Sequence, residues 1–165
     1  MHERCGRKMT IIEVGSYQGE SMEIFAKTGK LDTIVCVDPW KSGYDSNDAA
    51  SKSDMRKVET AFDQRVSSVK DRVDVVKFKG TLDTFIQSDL FKKFDGQFDF
   101  TYIDGCHTYE GCKHDIELCK QFIRPKIAFA GHDHVDGWAG VKKAVNEIFG
   151  KPDIVLADSS WIKYI

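Results

Sequence analysis

Five times along the chain, a short β-branched or apolar run gives way to a segment whose apolar residues recur at three- and four-residue steps, with a glycine, an acid or both at most of the joins. Alternating faces suit a strand and steps of three to four suit a helix, so the pattern reads as five β-α units. Parallel strands need long crossovers, and helices supply them, so such a chain folds into a sheet with helices on both faces. Lys8 to Val14 opens the series, runs into Gly15-Ser16-Tyr17-Gln18-Gly19, and is followed by a helix over Ser21 to Lys27 that turns Met22, Phe25 and Ala26 inward. Thr33 to Val37 closes on Asp38-Pro39-Trp40, where the proline stops the strand and leaves a carboxylate at its carboxyl end. A stripe of Met55, Val58, Phe62, Val66 and Val69 precedes the strand Val73 to Phe78 and a Gly80-Thr81 turn into a short helix with Leu82, Phe85 and Ile86. Phe98 to Ile103 ends in Asp104-Gly105 and feeds a helix marked by Tyr109, Cys112, Ile116, Cys119 and Ile123, stopped before Pro125. Ile127 to Ala130 ends in Gly131-His132-Asp133-His134, and Val141, Ala144, Val145, Ile148 and Phe149 form the last stripe, stopped by Gly150 and Pro152. Asp153 to Ala157 and Trp161 to Ile165 lie three residues apart, which is hairpin spacing and predicts an antiparallel strand at the end of the sheet.

At 165 residues the chain buries one core, and residues 1–165 read as a single domain. Lys41 to Asp54 is rich in Ser, Gly, Asp, Asn and Lys, cannot bury much apolar surface, and reads as a mobile loop able to serve as a lid. A formal net charge of -2 advertises neither a nucleic acid nor a membrane surface as partner, and a small molecule fits better. No apolar run approaches membrane-spanning length and Met1 leads into charged residues, so the expected location is the cytoplasm. The five cysteines (Cys5, Cys36, Cys106, Cys112, Cys119) form an odd set without a C-x-x-C pair, so they read as small core hydrophobes rather than disulfides or zinc ligands. A homo-oligomer is compatible with all of this.

The chemistry-bearing residues fall at the strand ends, where open α/β sheets bind their ligands. Glu13-Val14-Gly15-x-x-x-Gly19 joins a strand to a helix, so the backbone can approach a ligand there and the helix amino end faces it. Asp38, about twenty residues further on, is placed to accept hydrogen bonds from ribose hydroxyls. Ser16, Tyr17 and Gln18 stand where a G-x-G-x-x-G dinucleotide fingerprint would place its central glycine, which disfavours NAD. No G-x-S-x-G elbow and no P-loop occur.

With these residues and this order of elements, the chain resembles the class I S-adenosylmethionine-dependent methyltransferases, whose first motif reads E/D-x-G-x-x-x-G and whose second strand ends in an acid. Asp99-Phe100-Thr101-Tyr102-Ile103-Asp104-Gly105-x-His107-x-Tyr109-Glu110-Gly111, with Gly131-His132-Asp133 and Gly140-Val141-x-x-Ala144-Val145, is similar to small-molecule O-methyltransferases related to those acting on macrolide sugars. The resemblance implies a Rossmann-like three-layer α/β sandwich, with a mostly parallel seven-stranded sheet ending in an antiparallel hairpin. It implies S-adenosylmethionine as cofactor, with Glu13, Gly15 and Gly19 along its methionine portion, Asp38 at the ribose and Gly80-Thr81 at the adenine edge; Ser16, Tyr17, Trp40 and Asp104 complete the expected contacts.

Methyl transfer to oxygen needs the acceptor aligned behind the sulfonium methyl and relieved of its proton, and His107 is the expected base beside Asp104 and Asp133. Asp104, Asp133 and His132 form the expected ligand set if magnesium or another divalent cation assists. His134, His114 and the near-terminal His2 are expected to be solvated. The function expected is O-methylation of a small hydroxyl-bearing acceptor, a sugar or natural product. Two other readings compete. One is a non-catalytic cofactor-binding module or partner subunit, suggested by how few residues precede the first strand; the other is an NAD-dependent oxidoreductase.

Overall fold

The computed structural model describes residues 7–165; His2 and Cys5 lie outside the described residues. Seven strands form one sheet: β1 (Met9–Val14), β2 (Leu31–Asp38), β3 (Asp74–Lys79), β4 (Phe100–Ile103), β5 (Ala128–Gly131), β6 (Ile154–Val155) and β7 (Trp161–Tyr164), in the order β3-β2-β1-β4-β5-β7-β6. β1 to β5 pair in parallel, while β7 runs antiparallel to both β5 and β6, as the closing hairpin predicts. Six α-helices accompany them: α1 (Glu20–Lys27), α2 (Met55–Val69), α3 (Leu82–Ile86), α4 (Asp89–Phe94), α5 (Tyr109–Leu118) and α6 (Ala139–Phe149). α4 is an element the apolar spacing does not announce; Ser88 begins it by accepting a hydrogen bond from the Phe91 amide.

Alternation along β1 sends Ile11 to one face of the sheet and Ile12 to the other, and each face carries its own core. Ile11, Met22, Ile34, Phe62 and Tyr102 pack beneath α1 and α2, while Ile12, Val35, Phe85, Ile116, Val145 and Trp161 pack beneath α3, α5 and α6. Burying a residue such as Phe62 or Ile116 completely contributes about 1.5–3 kcal/mol each, so the two faces together hold the strand ends in register. Cys36, Cys112 and Cys119 are buried among these side chains, in keeping with their reading as core residues, whereas Cys106 is only partly buried.

The helix expected to run on to Ile123 changes pitch after Leu118. The Arg124 amide reaches back five residues to the Cys119 carbonyl at 2.8 Å, and Arg124 itself takes φ 45° before Pro125. The wider turn keeps both Cys119 and Ile123 fully buried.

The two edges of the sheet differ. On β3, Lys77 pairs with Glu59 (2.9 Å) and Asp63 (2.7 Å) of α2, and Lys79 with Glu59 (2.6 Å). On the other edge β6 is only two residues long, because Leu156 to Ser160 turn tightly with Ser159 at φ 72° and shorten the expected strand.

The polar segment between β2 and α2 is folded on itself. Ser51 Oγ accepts from the amides of Gly43 (3.1 Å) and Asp45 (3.3 Å), and the Tyr44 hydroxyl donates to Asp48 at 2.8 Å. As its composition implies it buries little apolar surface; what it buries is polar, namely Asp45, Asp48 and Ser51.

Candidate active site

A cleft opens at the carboxyl ends of β1 to β4. Its walls come from the β1–α1 turn (Gly15, Tyr17), the tip of β2 (Asp38, Pro39), the β3–α3 turn (Gly80, Thr81), the β4–α5 loop (Asp104, Gly105) and α5 (His114, Asp115). Of the residues expected to bind cofactor, Gly15, Tyr17, Asp38, Gly80, Thr81 and Asp104 line it.

Asp38 is fixed by the backbone around it. One carboxylate oxygen accepts from the Tyr17 amide at 2.9 Å and the other from the Trp40 amide at 2.6 Å, which ties the glycine turn to the end of β2. Burial raises the Asp38 pKa, and these amides oppose that rise. Each oxygen keeps a lone pair for a hydroxyl in the cleft.

Glu13, Ser16, Gly19 and Trp40 stand behind the wall rather than in it. Glu13 is completely buried; one oxygen accepts from Ser21 Oγ at 2.5 Å, the other has no hydrogen-bond partner, and burial pushes the pKa up to about 7. Trp40, at φ 42°, turns its ring into the core against Phe62 and donates from Nε1 to the Tyr17 carbonyl at 2.9 Å. Pro39 takes the place in the wall that the sequence suggests for Trp40. Gly15 serves a packing need: it sits at φ 84°, and a Cβ there would lie 2.0 Å from the Asp104 carbonyl oxygen. Gly19 likewise makes room for Phe62, whose ring would be 2.9 Å from a Cβ. The glycines let two strand-end loops and a helix close up, and so set the shape of the cleft.

Beside the cleft, the ends of β4 and β5 bring together the three residues assigned to the acceptor chemistry. His107 Nε2 lies 3.0 Å from Asp133 Oδ2 and 3.5 Å from Asp104 Oδ1. Asp133 reaches this position because its backbone is at φ 64°, which breaks the strand alternation and swings the carboxylate towards His107. Thr108 caps α5 through the Gly111 amide at 3.1 Å and so holds the loop that carries His107. Trp138 lies over the imidazole, with ring centroids 4.4 Å apart.

The folded β2–α2 segment adds a residue the sequence does not signal: Asp48 Oδ2 stands 3.4 Å from His107 Nδ1. Despite three carboxylates at these distances, neither ring nitrogen makes a well-directed hydrogen bond. Burial pushes the His107 pKa down, but Asp104 and Asp133 outweigh it and bring it to about 10. Burial would raise Asp133, yet His107 and His132 hold it well below the usual carboxylate range. Without another charge in the site, His107 is an imidazolium at neutral pH.

Ligand atoms from Asp104, His107 and Asp133 lie within 4.8 Å of one another, close enough to share one cation. His132, expected in that set, instead directs Nδ1 to Asp133 Oδ1 at 3.1 Å and supports the carboxylate from outside. His134 is exposed and contacts Asn146 Oδ1 at 3.0 Å. His114 is exposed but not merely solvated: it pairs with Asp83 of α3 at 2.9 Å on the rim of the cleft.

A family model described as a methyltransferase domain matches residues 12–134, a span that contains the glycine turn, Asp38, and the Asp104, His107 and Asp133 cluster. The chain belongs to this methyltransferase family. The methyltransferase domain uses S-adenosylmethionine as its methyl donor, and its fold is that of known O-methyltransferases. The apo structure of CalS11, a TDP-rhamnose 3'-O-methyltransferase of calicheamicin biosynthesis, aligns with TM-score 0.55 at 14% identity, over 94% of this chain and 72% of that one. An O-methyltransferase from Bacillus cereus in complex with SAH aligns with TM-score 0.56 at 16% identity, over 93% and 71%. Monomeric WbdD gives TM-score 0.59 at 15% identity, over 98% of this chain but 37% of that one. No curated protein sequence matches the methyltransferase domain significantly.

Proposed function

We propose that this methyltransferase domain transfers the methyl group of S-adenosylmethionine to a hydroxyl of a small acceptor, a sugar or another natural product. The observation that carries the reading is the convergence of Asp104, His107 and Asp133 at the edge of a cleft whose β2 tip presents a backbone-anchored carboxylate.

In this reading Asp38 accepts hydrogen bonds from the ribose, and the Gly15 turn and Gly80-Thr81 flank the two ends of the cofactor. The acceptor lies against Trp138 and the three-residue cluster. The donor set suits a divalent cation: two carboxylates supply the hard oxygen ligands magnesium prefers, and the His107 nitrogens have no competing hydrogen bonds. Asp104 and Asp133 would hold it, and it would supply Lewis acidity that weakens the acceptor O–H bond. His107 takes the acceptor's proton on Nε2 only when the two carboxylates are occupied elsewhere, because while both face it unshared it already carries a proton. Asp48 then holds the ring from the Nδ1 side.

The test is calorimetric titration with S-adenosylmethionine, S-adenosylhomocysteine and NAD, each with and without magnesium. Saturable binding of the first two in the micromolar range, with none for NAD, supports the reading and justifies a screen of hydroxyl acceptors. Preference for NAD, or no binding of either sulfur compound, overturns it.

A further inference from the structure

Asp115 stands out among the groups that line the cleft. It sits on α5, one helical turn after Gly111, and the carboxylate has only electrostatic neighbours, His114 and Asp83. Among the described residues no group donates a hydrogen bond to it. Burial pushes its pKa up to about 7, with Asp83 adding to the rise and His114 opposing it. A desolvated carboxyl without a partner is costly, so its retention in a cleft wall is a reason to look for a donor supplied from outside the protein.

The surroundings fit a flat ring. Gly105 faces Asp115, and a Cβ at that position would lie 3.1 Å from Asp115 Oδ2, so the glycine leaves open the space over the carboxylate. Thr81, Leu82 and Asp83 of the β3–α3 turn belong to the same wall, and the His114–Asp83 pair ties α5 to α3 across it.

On the reading that S-adenosylmethionine occupies this cleft, its donors can be assigned in turn. The ribose hydroxyls meet Asp38, and the methionine portion lies along the Gly15 turn. The 6-amino group of the adenine is the remaining N–H donor, at the end of the molecule directed to the β3–α3 turn. We propose that Asp115 recognises the 6-amino edge of the adenine and so makes the site selective for adenine over a 6-oxopurine. Adenine presents an N–H donor at position 6 and an acceptor at N1, whereas hypoxanthine reverses both, so a carboxyl there distinguishes them.

The proposal rests on the cofactor assignment, and calorimetry separates the two. S-adenosylhomocysteine and its 6-oxo analogue, S-inosylhomocysteine, are titrated into the wild-type domain, Asp115→Asn and Asp115→Ala. The wild type is expected to favour the adenosyl compound by at least about tenfold, the size of a lost hydrogen bond to a polar group. In Asp115→Asn, whose amide can flip to match either edge, and in Asp115→Ala the ratio falls to within about threefold. Circular dichroism melts accompany the titrations, with Asp115→Asn expected to melt no lower than wild type because it removes a buried ionisable group. A ratio near one in the wild type, or one unchanged in both variants, overturns the role of Asp115. Failure of the wild type to bind S-adenosylhomocysteine overturns the cofactor assignment itself, and the proposal with it.

Discussion

Replacing Glu13 by Gln should make the protein more stable at neutral and alkaline pH, by an amount that depends on pH in a defined way. Glu13 is fully buried in β1, has one oxygen without a partner, and is moved by burial from its ordinary 4.5 to about 7. In the folded protein it keeps a proton that the unfolded chain has already released between those two values. Its contribution is therefore fully present below pH 4.5 and is lost as pH rises through about 7. Moving a carboxyl that far corresponds to about 3 kcal/mol between the acid and alkaline limits, before relaxation around the ionised group reduces it. Gln cannot ionise, so Glu13→Gln removes this dependence. Urea unfolding of both proteins at half-unit steps from pH 5 to 8.5 gives the difference directly, since the other titrating groups are shared and largely cancel. The expected difference is small near pH 5 and rises to about 2–3 kcal/mol in favour of Gln by pH 8.5. A difference that stays flat across the range would refute the argument from burial.

Three further outcomes follow from the site. Gly15→Ala places a Cβ 2.0 Å from the Asp104 carbonyl at a backbone φ of 84°, and should lower stability by about 2 kcal/mol or more in the same urea assay. Asp38→Ala frees the Tyr17 and Trp40 amides, and should weaken S-adenosylhomocysteine binding at least about tenfold by calorimetry while costing about 1–3 kcal/mol of stability. His107→Ala should leave that affinity within about threefold and slow turnover by about 10²–10⁴ once an acceptor is in hand; the reverse pattern would reassign the residue to binding.

The architecture was legible because period is a local property. The β-α order, both core faces and the reversed last strand follow from spacing alone, and so does the gathering of Asp38, Asp104 and Asp133 at one sheet edge. Side-chain direction beyond a strand end was not legible. Tyr17, Trp40 and Asp133 all adopt positive φ without being glycine, and each turns its side chain where no alternation rule would put it. That is why Trp40 goes to the core and why Asp133, rather than His132, joins the cluster. Asp48 and Asp115 were missed for a different reason. Each looks like an ordinary polar residue in a loop or helix, and only tertiary packing brings one to His107 and strips the other of partners.

The two edges of the sheet bear on how copies of this domain can meet. A strand edge with free amides and carbonyls is a template for another chain, and here one edge carries lysines locked to α2 while the other ends in a two-residue strand. Neither offers the length of flat, uncharged backbone that continuous sheet extension requires. Concentrated solutions should therefore resist edge-to-edge aggregation, and self-association is expected to join helical faces.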